Sequence, residues 1–311
     1  MELNTGFVGT KLRSRSTIVN WRDTMNYAAA VGDNNPVYFD DTLEDGIIAP
    51  PMFCVSLTWP ISERMGEHIE SESFPEEVIP TQVHYTEHIQ IHRLVKPEDR
   101  LTISGKIAEI QPHRAGTYVI IRFDAADHQG NPVFTEHIGG LMRGVRCIGD
   151  AVAQENVPEI PRHQADIGAM DWVQPLDIDP LLPYIYDGCT GIYFPIHTSI
   201  QFARSVGLPS IILQGTATLA LAVREITNAF AGGDPTSIRV ISCRFTGMVE
   251  PGTRISVKAK PSTENTSANS ICFVVISENG NKAIRDGQVV LEKQTRSPYH
   301  ERKQYEPPVS G

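Results

Sequence analysis

The sequence has no surplus of positive charge: 27 Lys and Arg stand against 37 Asp and Glu, for a formal net charge of −10. A nucleic-acid partner calls for a basic face, so this balance argues against one. Nor is there a run of about 18 apolar residues, so no helical membrane span is expected. Met1-Glu2-Leu3-Asn4 has neither the basic cap nor the apolar run of a secretory signal, and Pro308-Val309-Ser310-Gly311 is not a peroxisomal address. Cysteine is sparse. Cys54, Cys147, Cys189, Cys243 and Cys272 are odd in number and form no CxxC pair, which speaks against a zinc knuckle or a disulfide framework. Free thiols in a reducing compartment, hence a cytoplasmic protein, are the expectation. A phosphate-binding glycine loop is also missing, so no cofactor is implied.

What the 311 residues do have is an internal repeat. In the first half, Trp21–Gly32 reads as a short amphipathic helix ending in the turn Gly32-Asp33-Asn34-Asn35-Pro36-Val37-Tyr38. Gly46-Ile47-Ile48-Ala49-Pro50-Pro51 then leads to an apolar helix from Met52 to about Met65. Strands are predicted at Val83–Leu94, Asp99–Gln111, Thr117–Asp127 and Pro132–Gly144. The second half repeats the order: the turn Gly191-Ile192-Tyr193-Phe194-Pro195-Ile196-His197, an approach ending in Leu213-Gln214-Gly215, and a helix over Thr216–Ala229. Strands follow at Arg239–Val249, Thr253–Pro261, Ala268–Glu278 and Ala283–Lys293. Pro36 pairs with Pro195, Pro51 with Gly215, Pro97 with Pro251 and Gly130 with Gly280, at offsets of 159, 164, 154 and 150 residues. Four landmarks in order at so steady a spacing mark a duplication.

A helix apolar all round must be buried, and a curved antiparallel sheet is what can wrap it. The expected class is therefore α+β, with residues 1–148 as one module, 149–183 as a proline-bearing linker and 184–311 as the second. Two such halves can join edge to edge into one sheet, which removes two open edges.

The turn with Asn-Pro or Phe-Pro, then Ile-His, then Leu-Gln-Gly opening an apolar helix, resembles the motif of the MaoC-like hydratases and dehydratases. That resemblance implies two fused hot-dog modules, a double hot-dog fold, acting as a hydro-lyase on a thioester or related carbonyl. In the family an Asp and a His hold water between them, and an N–H at the start of the long helix takes the thioester oxygen. Here the pair is split. The first half keeps Gly32-Asp33-Asn34-Asn35-Pro36 but has Tyr38 where the histidine belongs. The second keeps Pro195-Ile196-His197 but has Ile192 for the aspartate, Phe194 for the asparagine and Gln214 for the histidine before Gly215.

From the resemblance, His197 is expected as general acid or base and the Gly215 N–H as oxyanion donor. Asp187 is a candidate to orient the imidazole in place of the missing aspartate, against the plainer reading of a turn-forming Asp-Gly. Tyr193 is a candidate hydroxyl for the pocket; Asp33, Asn35, Tyr38, Phe194 and Gln214 are expected to line the substrate site, with the first half sheltering the acyl chain. Cys189 lacks an assigned base. His84, His88 and His92 are read as sharing one face of an edge strand, about 13 Å per step, too far apart to hold a metal. Alternatives to water addition are an isomerase or cyclase of the secondary-metabolism kind, in which an internal hydroxyl needs no water-holding aspartate, and a silent acyl-binding module. The partner expected is a small molecule, with coenzyme A as the carrier the family implies; a homodimer is left open.

Overall fold

The computed structural model describes residues 1–162, 170–262 and 269–292. The expected strand ends at Ala268 and Lys293, part of the expected linker and the last stretch of the second module lie outside the described residues.

The first half opens with β1 (Glu2–Asn4) and β2 (Lys11–Ile18), then helix α1 (Trp21–Ala30). Asn20 starts α1 by accepting the Arg22 N–H at 2.8 Å, a side-chain cap that supplies one of the helix's orphan donors. The apolar run from Met52 becomes α2 (Cys54–Glu63), followed after Arg64 by the single turn α3 (Met65–His68). Pro60 lies inside α2 and has no N–H to give, which keeps this helix short. Then come β3 (Gln82–Ile91), β4 (Arg100–His113), β5 (Gly116–Asp127), β6 (Pro132–Arg143) and the short β7 (Arg146–Ile148) and β8 (Val152–Ala153). The second half is β9 (Trp172–Asp177), α4 (Leu182–Thr190), α5 (Ile200–Ser205), α6 (Gly215–Phe230), then β10 (Ile238–Phe245), β11 (Arg254–Pro261), β12 (Asn269–Ser277) and β13 (Lys282–Leu291).

The two halves close into one 11-stranded sheet running β2-β4-β5-β6-β3-β10-β13-β12-β11-β9, with β8 also on β4. Read outward from its middle, each half has the same strand order. The halves meet at the antiparallel pair β3–β10, where His88 faces Ser242. Those two residues are 154 apart, the spacing of Pro97 and Pro251, so a pseudo-twofold axis passes through that pair. The sheet curls around α6, whose Ala217, Leu219, Ala220, Leu221, Ala222, Val223 and Ile226 are buried. Along the same axis α1 packs on α4, and the Tyr27 and Tyr186 hydroxyls, 159 residues apart, lie 3.1 Å from each other. No helix among the described residues is long and apolar enough to cross a membrane.

Three features differ from expectation. β9 lies inside the stretch read as linker and is the outer strand of the second half; Pro175, which read as a linker signal, is tolerated because β9 pairs only with β11. Helix α4, the counterpart of α1, also begins within that stretch. Finally, β3 is central, not an edge, and its histidines do not share a face. His84 pairs with Gly140 and Thr86 with Gly139, so Tyr85 is an extra, bulged residue. The bulge turns His84 to the inner face beside Glu87, whereas His88 packs edge-on against His137 on the other face, ring centroids 5.9 Å apart.

Strand β6 passes this bulge closely enough that only glycine fits at position 139. A Cβ there would collide with the Thr86 and Tyr118 hydroxyls and come within 2.7 Å of the Tyr118 ring. Gly139→Ala is expected to destabilise the protein by about 3 kcal/mol, the upper range for overpacking. A thermal melt that stays within a degree of the parent would refute this.

Candidate active site

Helix α4 ends at Gly191, which takes the left-handed conformation (φ 68°) and donates its N–H to the Asp187 carbonyl at 3.1 Å. The chain then extends through Phe194, and Pro195–His197 forms one 3-10 turn that aims the imidazole back at the segment before α6. There His197 Nδ1 lies 2.8 Å from the Ile212 carbonyl oxygen. A carbonyl only accepts, so the proton sits on Nδ1 and Nε2 carries a lone pair. Burial pushes the pKa down to about 4, opposed by the hydrogen bond to Ile212. The imidazole is thus neutral and ready to take a proton.

Two residues after Leu213, α6 begins with Gly215. No side chain caps it, so the first N–H groups of a 16-residue helix are open at its positive end. Gln214, fully buried, donates Nε2 to the Pro183 carbonyl at 3.0 Å, and its Oε1 has no partner among the described residues. Phe245 on β10 covers the approach: a Cβ on Gly215 would sit 3.2 Å from its ring.

The structure brings His197, Gln214 and Gly215 together and separates the other expected residues from them. Asp187 does not orient the imidazole: the Ile212 carbonyl holds Nδ1, and partial burial raises the Asp187 pKa. Tyr193 is half exposed, and its hydroxyl bonds Glu63 at the end of α2, which raises its pKa. Phe194 packs edge-on against Phe202. Ile192, in the aspartate's place, is buried and brings no charge.

Asp33, Asn35 and Tyr38 lie beside the far half of α6. Arg224, nine residues and so about 13 Å of helix rise from Gly215, donates to the Val31 carbonyl and its charge faces Asp33. Asp33 accepts the Asn35 N–H at 3.2 Å, and Asn35 donates Nδ2 to the Gly233 carbonyl at 2.6 Å. Tyr38 is fully buried, and the space left among Asp33, Tyr38, Pro51 and Arg224 is about 10 Å³. That is hardly one water's worth. The expected substrate contacts at this turn are internal bonds instead, because Tyr38 fills the hollow that a smaller side chain would leave.

Three residues near the site were not anticipated. His84 packs against Phe245 at a tilt of 57°, ring centroids 4.6 Å apart. Its Nε2 donates to the Thr86 carbonyl and lies 3.0 Å from Glu87 Oε2, and Glu87 lies beside Glu136. Both carboxyls are fully buried. Burial raises the Glu87 pKa to about 8, and burial with the neighbouring Glu87 charge raises Glu136 well above the usual range. No His, Cys, Asp and Glu cluster that could hold a metal occurs among the described residues.

Comparison with known proteins agrees with this architecture. A model of the MaoC like domain matches residues 170–281, and one of the FAS1-like dehydratase domain region matches 6–136. The peroxisomal enoyl-CoA hydratase 2 of Arabidopsis thaliana is 25% identical over 178 residues, 55% of this chain and 57% of that protein. The 3-hydroxyacyl-thioester dehydratase Y of Mycobacterium tuberculosis is 28% identical over 179 residues, 56% of this chain and 60% of its own. The chain thus spans somewhat over half the length of these relatives. Among solved structures, a MaoC-like dehydratase from Phytophthora capsici superposes with a TM-score of 0.78 at 20% identity, covering 93% of this chain and 98% of that one. With a MaoC like domain matched in its second half and a FAS1-like dehydratase domain region in its first, the chain carries two fused hot-dog modules on one sheet.

Proposed function

We propose that the chain is a hydro-lyase that adds water to, or removes it from, the β-carbon of an acyl thioester, with a coenzyme A thioester as substrate. The observation that carries this reading is a neutral imidazole with an open Nε2 beside an uncapped helix N-terminus. In the hydration direction, water attacks the β-carbon while one of its protons passes to His197 Nε2. The π electrons move to the thioester oxygen as an enolate, which the Gly215 N–H and the positive end of α6 stabilise. The imidazolium then returns its proton to the α-carbon and is neutral again. The names of the relatives, an enoyl-CoA hydratase and a 3-hydroxyacyl-thioester dehydratase, support the same chemistry. None of the five cysteines forms a disulfide, in keeping with a reducing compartment such as the cytoplasm.

Crotonyl-CoA and longer enoyl thioesters test the proposal directly. Hydration by the wild-type chain is expected; no turnover across chain lengths would overturn it. A second reading, addition of a substrate's own hydroxyl to an enone, is favoured by the apolar Ile192 at the aspartate's place, since an internal nucleophile needs no second water holder. Cyclisation of a hydroxy-enone with no hydration of the simple thioester would select it.

A further inference from the structure

Water addition asks for two acceptors to hold the attacking water, one for each of its protons, and the motif of the second half offers only His197. The structure supplies a second imidazole from the other half. The bulge at Tyr85 swings His84 inward, and strand β3 crosses β10 so that His84 packs against Phe245, the ring that also covers Gly215. His84 Nε2 is hydrogen-bonded to the Thr86 carbonyl at 3.1 Å, and Glu87 Oε2 lies 3.0 Å away without a hydrogen bond. Nε2 therefore carries the proton, and Nδ1 is left with its lone pair. The His84 side chain is 27% exposed while Glu87 behind it is 0% exposed. The ring is thus held at Nε2 by a main-chain carbonyl, with Glu87 behind it and Nδ1 left to accept.

The two buried acids need an explanation in their own right. Carboxyls removed from water without a cation are destabilising, and Glu87 and Glu136 have no Lys or Arg paired with them among the salt bridges of the described residues. Sharing protons lowers that cost, and the shared pair fixes the oxygen that faces His84. The second half has no such device. At the offset of 154 that relates the two central strands, His84 corresponds to Ile238 and Glu87 to Ile241, both fully buried.

We propose that His84 is the second water-holding group of the His197–Gly215 site: Nδ1 accepts one proton of the attacking water in a hydrogen bond while His197 Nε2 removes the other. The Thr86 carbonyl sets the His84 tautomer, and the buried Glu87 lies behind the ring. The inference rests on the hydratase reading given above.

Substitution at position 84 separates the roles of the two ring nitrogens. Asn places Oδ1 where Nδ1 stands and keeps the acceptor; Gln reaches only the place of Nε2 and keeps the structural bond. For crotonyl-CoA hydration, kcat is expected to fall about 100-fold in His84→Ala and His84→Gln with KM changed less than about twofold, and to recover in part in His84→Asn. Added imidazole is expected to raise the rate of His84→Ala. His92→Ala, on an exposed histidine outside the site, is the control and stays at the parental rate. A His84→Gln variant with the parental kcat would overturn the proposal, since only the filling and Nε2 roles would then matter. Nitrogen-15 spectra of labelled histidine give a readout independent of turnover: His84 is expected as the Nε2–H tautomer at neutral pH, and the Nδ1–H form would refute it. A wild-type chain that hydrates no thioester is a different result; it removes the proposed function, and the water-holding role with it.

Discussion

Replacing His197 by alanine is expected to lower kcat for enoyl-thioester hydration about 1,000-fold, within the range that a positioned acid–base group supplies. The wild-type pH profile is expected to be as informative. His197 works as a base only when neutral. Burial holds its pKa down to about 4, so the neutral form predominates from pH 5 upward. The rate should therefore stay flat from pH 8 to about 5.5 and bend downward only near pH 4, measured in brief assays before acid unfolding intervenes. A limb near 6.5, the ordinary imidazole value, would mean that water reaches the ring freely and that the burial argument fails. A fall of less than about tenfold on removal of the imidazole would exclude it as the proton carrier.

The second large effect is on stability. His84, His88, His137 and His197 all have pKa values lowered to about 4 by burial. Between pH 4 and 6.5 the unfolded chain binds four protons that the folded one refuses, so these groups make stability rise with pH across that window. Glu87 and Glu136 act in the opposite sense. Their raised values mean that the folded chain keeps protons the unfolded chain has released above about pH 4.5, so they make stability fall as pH rises. The histidines outweigh the acids below about pH 6.5, where they are half protonated in the unfolded chain; above it the acids prevail. Their surroundings offer no relief, because Cys54, Cys243, Tyr27 and Tyr186 are themselves pushed up by burial. The melting temperature is therefore expected to peak near pH 6.5. It should drop from there to pH 8, by the excess of the protons kept by the two acids over those the unfolded histidines still bind. Calorimetry from pH 5 to 9 reads this directly. The paired substitution Glu87→Gln with Glu136→Gln is expected to flatten the alkaline side, and an unchanged slope there would show that the two acids are ionised in the fold.

Much of this molecule is legible in its sequence because its elements follow simple periodicities. The eight strands read from alternation match β3–β6 and β10–β13 closely, and the long helix of the second half begins at Gly215, one residue from its expected start. The steady offset between halves also disclosed that two modules share one sheet. The failures have physical causes. Pro175 and the prolines around it look like linker, yet an edge strand accepts proline where its N–H would face solvent. Helix α4 carries Pro183 and Gly188 and has no side-chain cap, so nothing at its start announces it. The bulge at Tyr85 is marked by neither glycine nor proline, and it moves His84 to the opposite face from the one alternation assigns. Glu87 and Glu136 carry no mark in the sequence, because a buried acid pair breaks the polar-outward alternation on which such a reading depends. At the site, the motif located His197, Gln214 and Gly215 but could not reveal that a main-chain carbonyl, that of Ile212, would orient the ring.

The joint between β3 and β10 has a consequence for how many substrates one chain can process. In a symmetric dimer of identical subunits, every residue occurs twice, so a working site and its twin rise and fall together. Fusion lifts that constraint. Position 84 can be histidine while its counterpart 238 is isoleucine, and one hollow can be sealed by Tyr38 and Arg224 while the other keeps His197. On the proposed function, the stoichiometry that follows is one turnover centre per polypeptide, half that of two independent modules, and the other half is free to vary wherever it does not touch that centre.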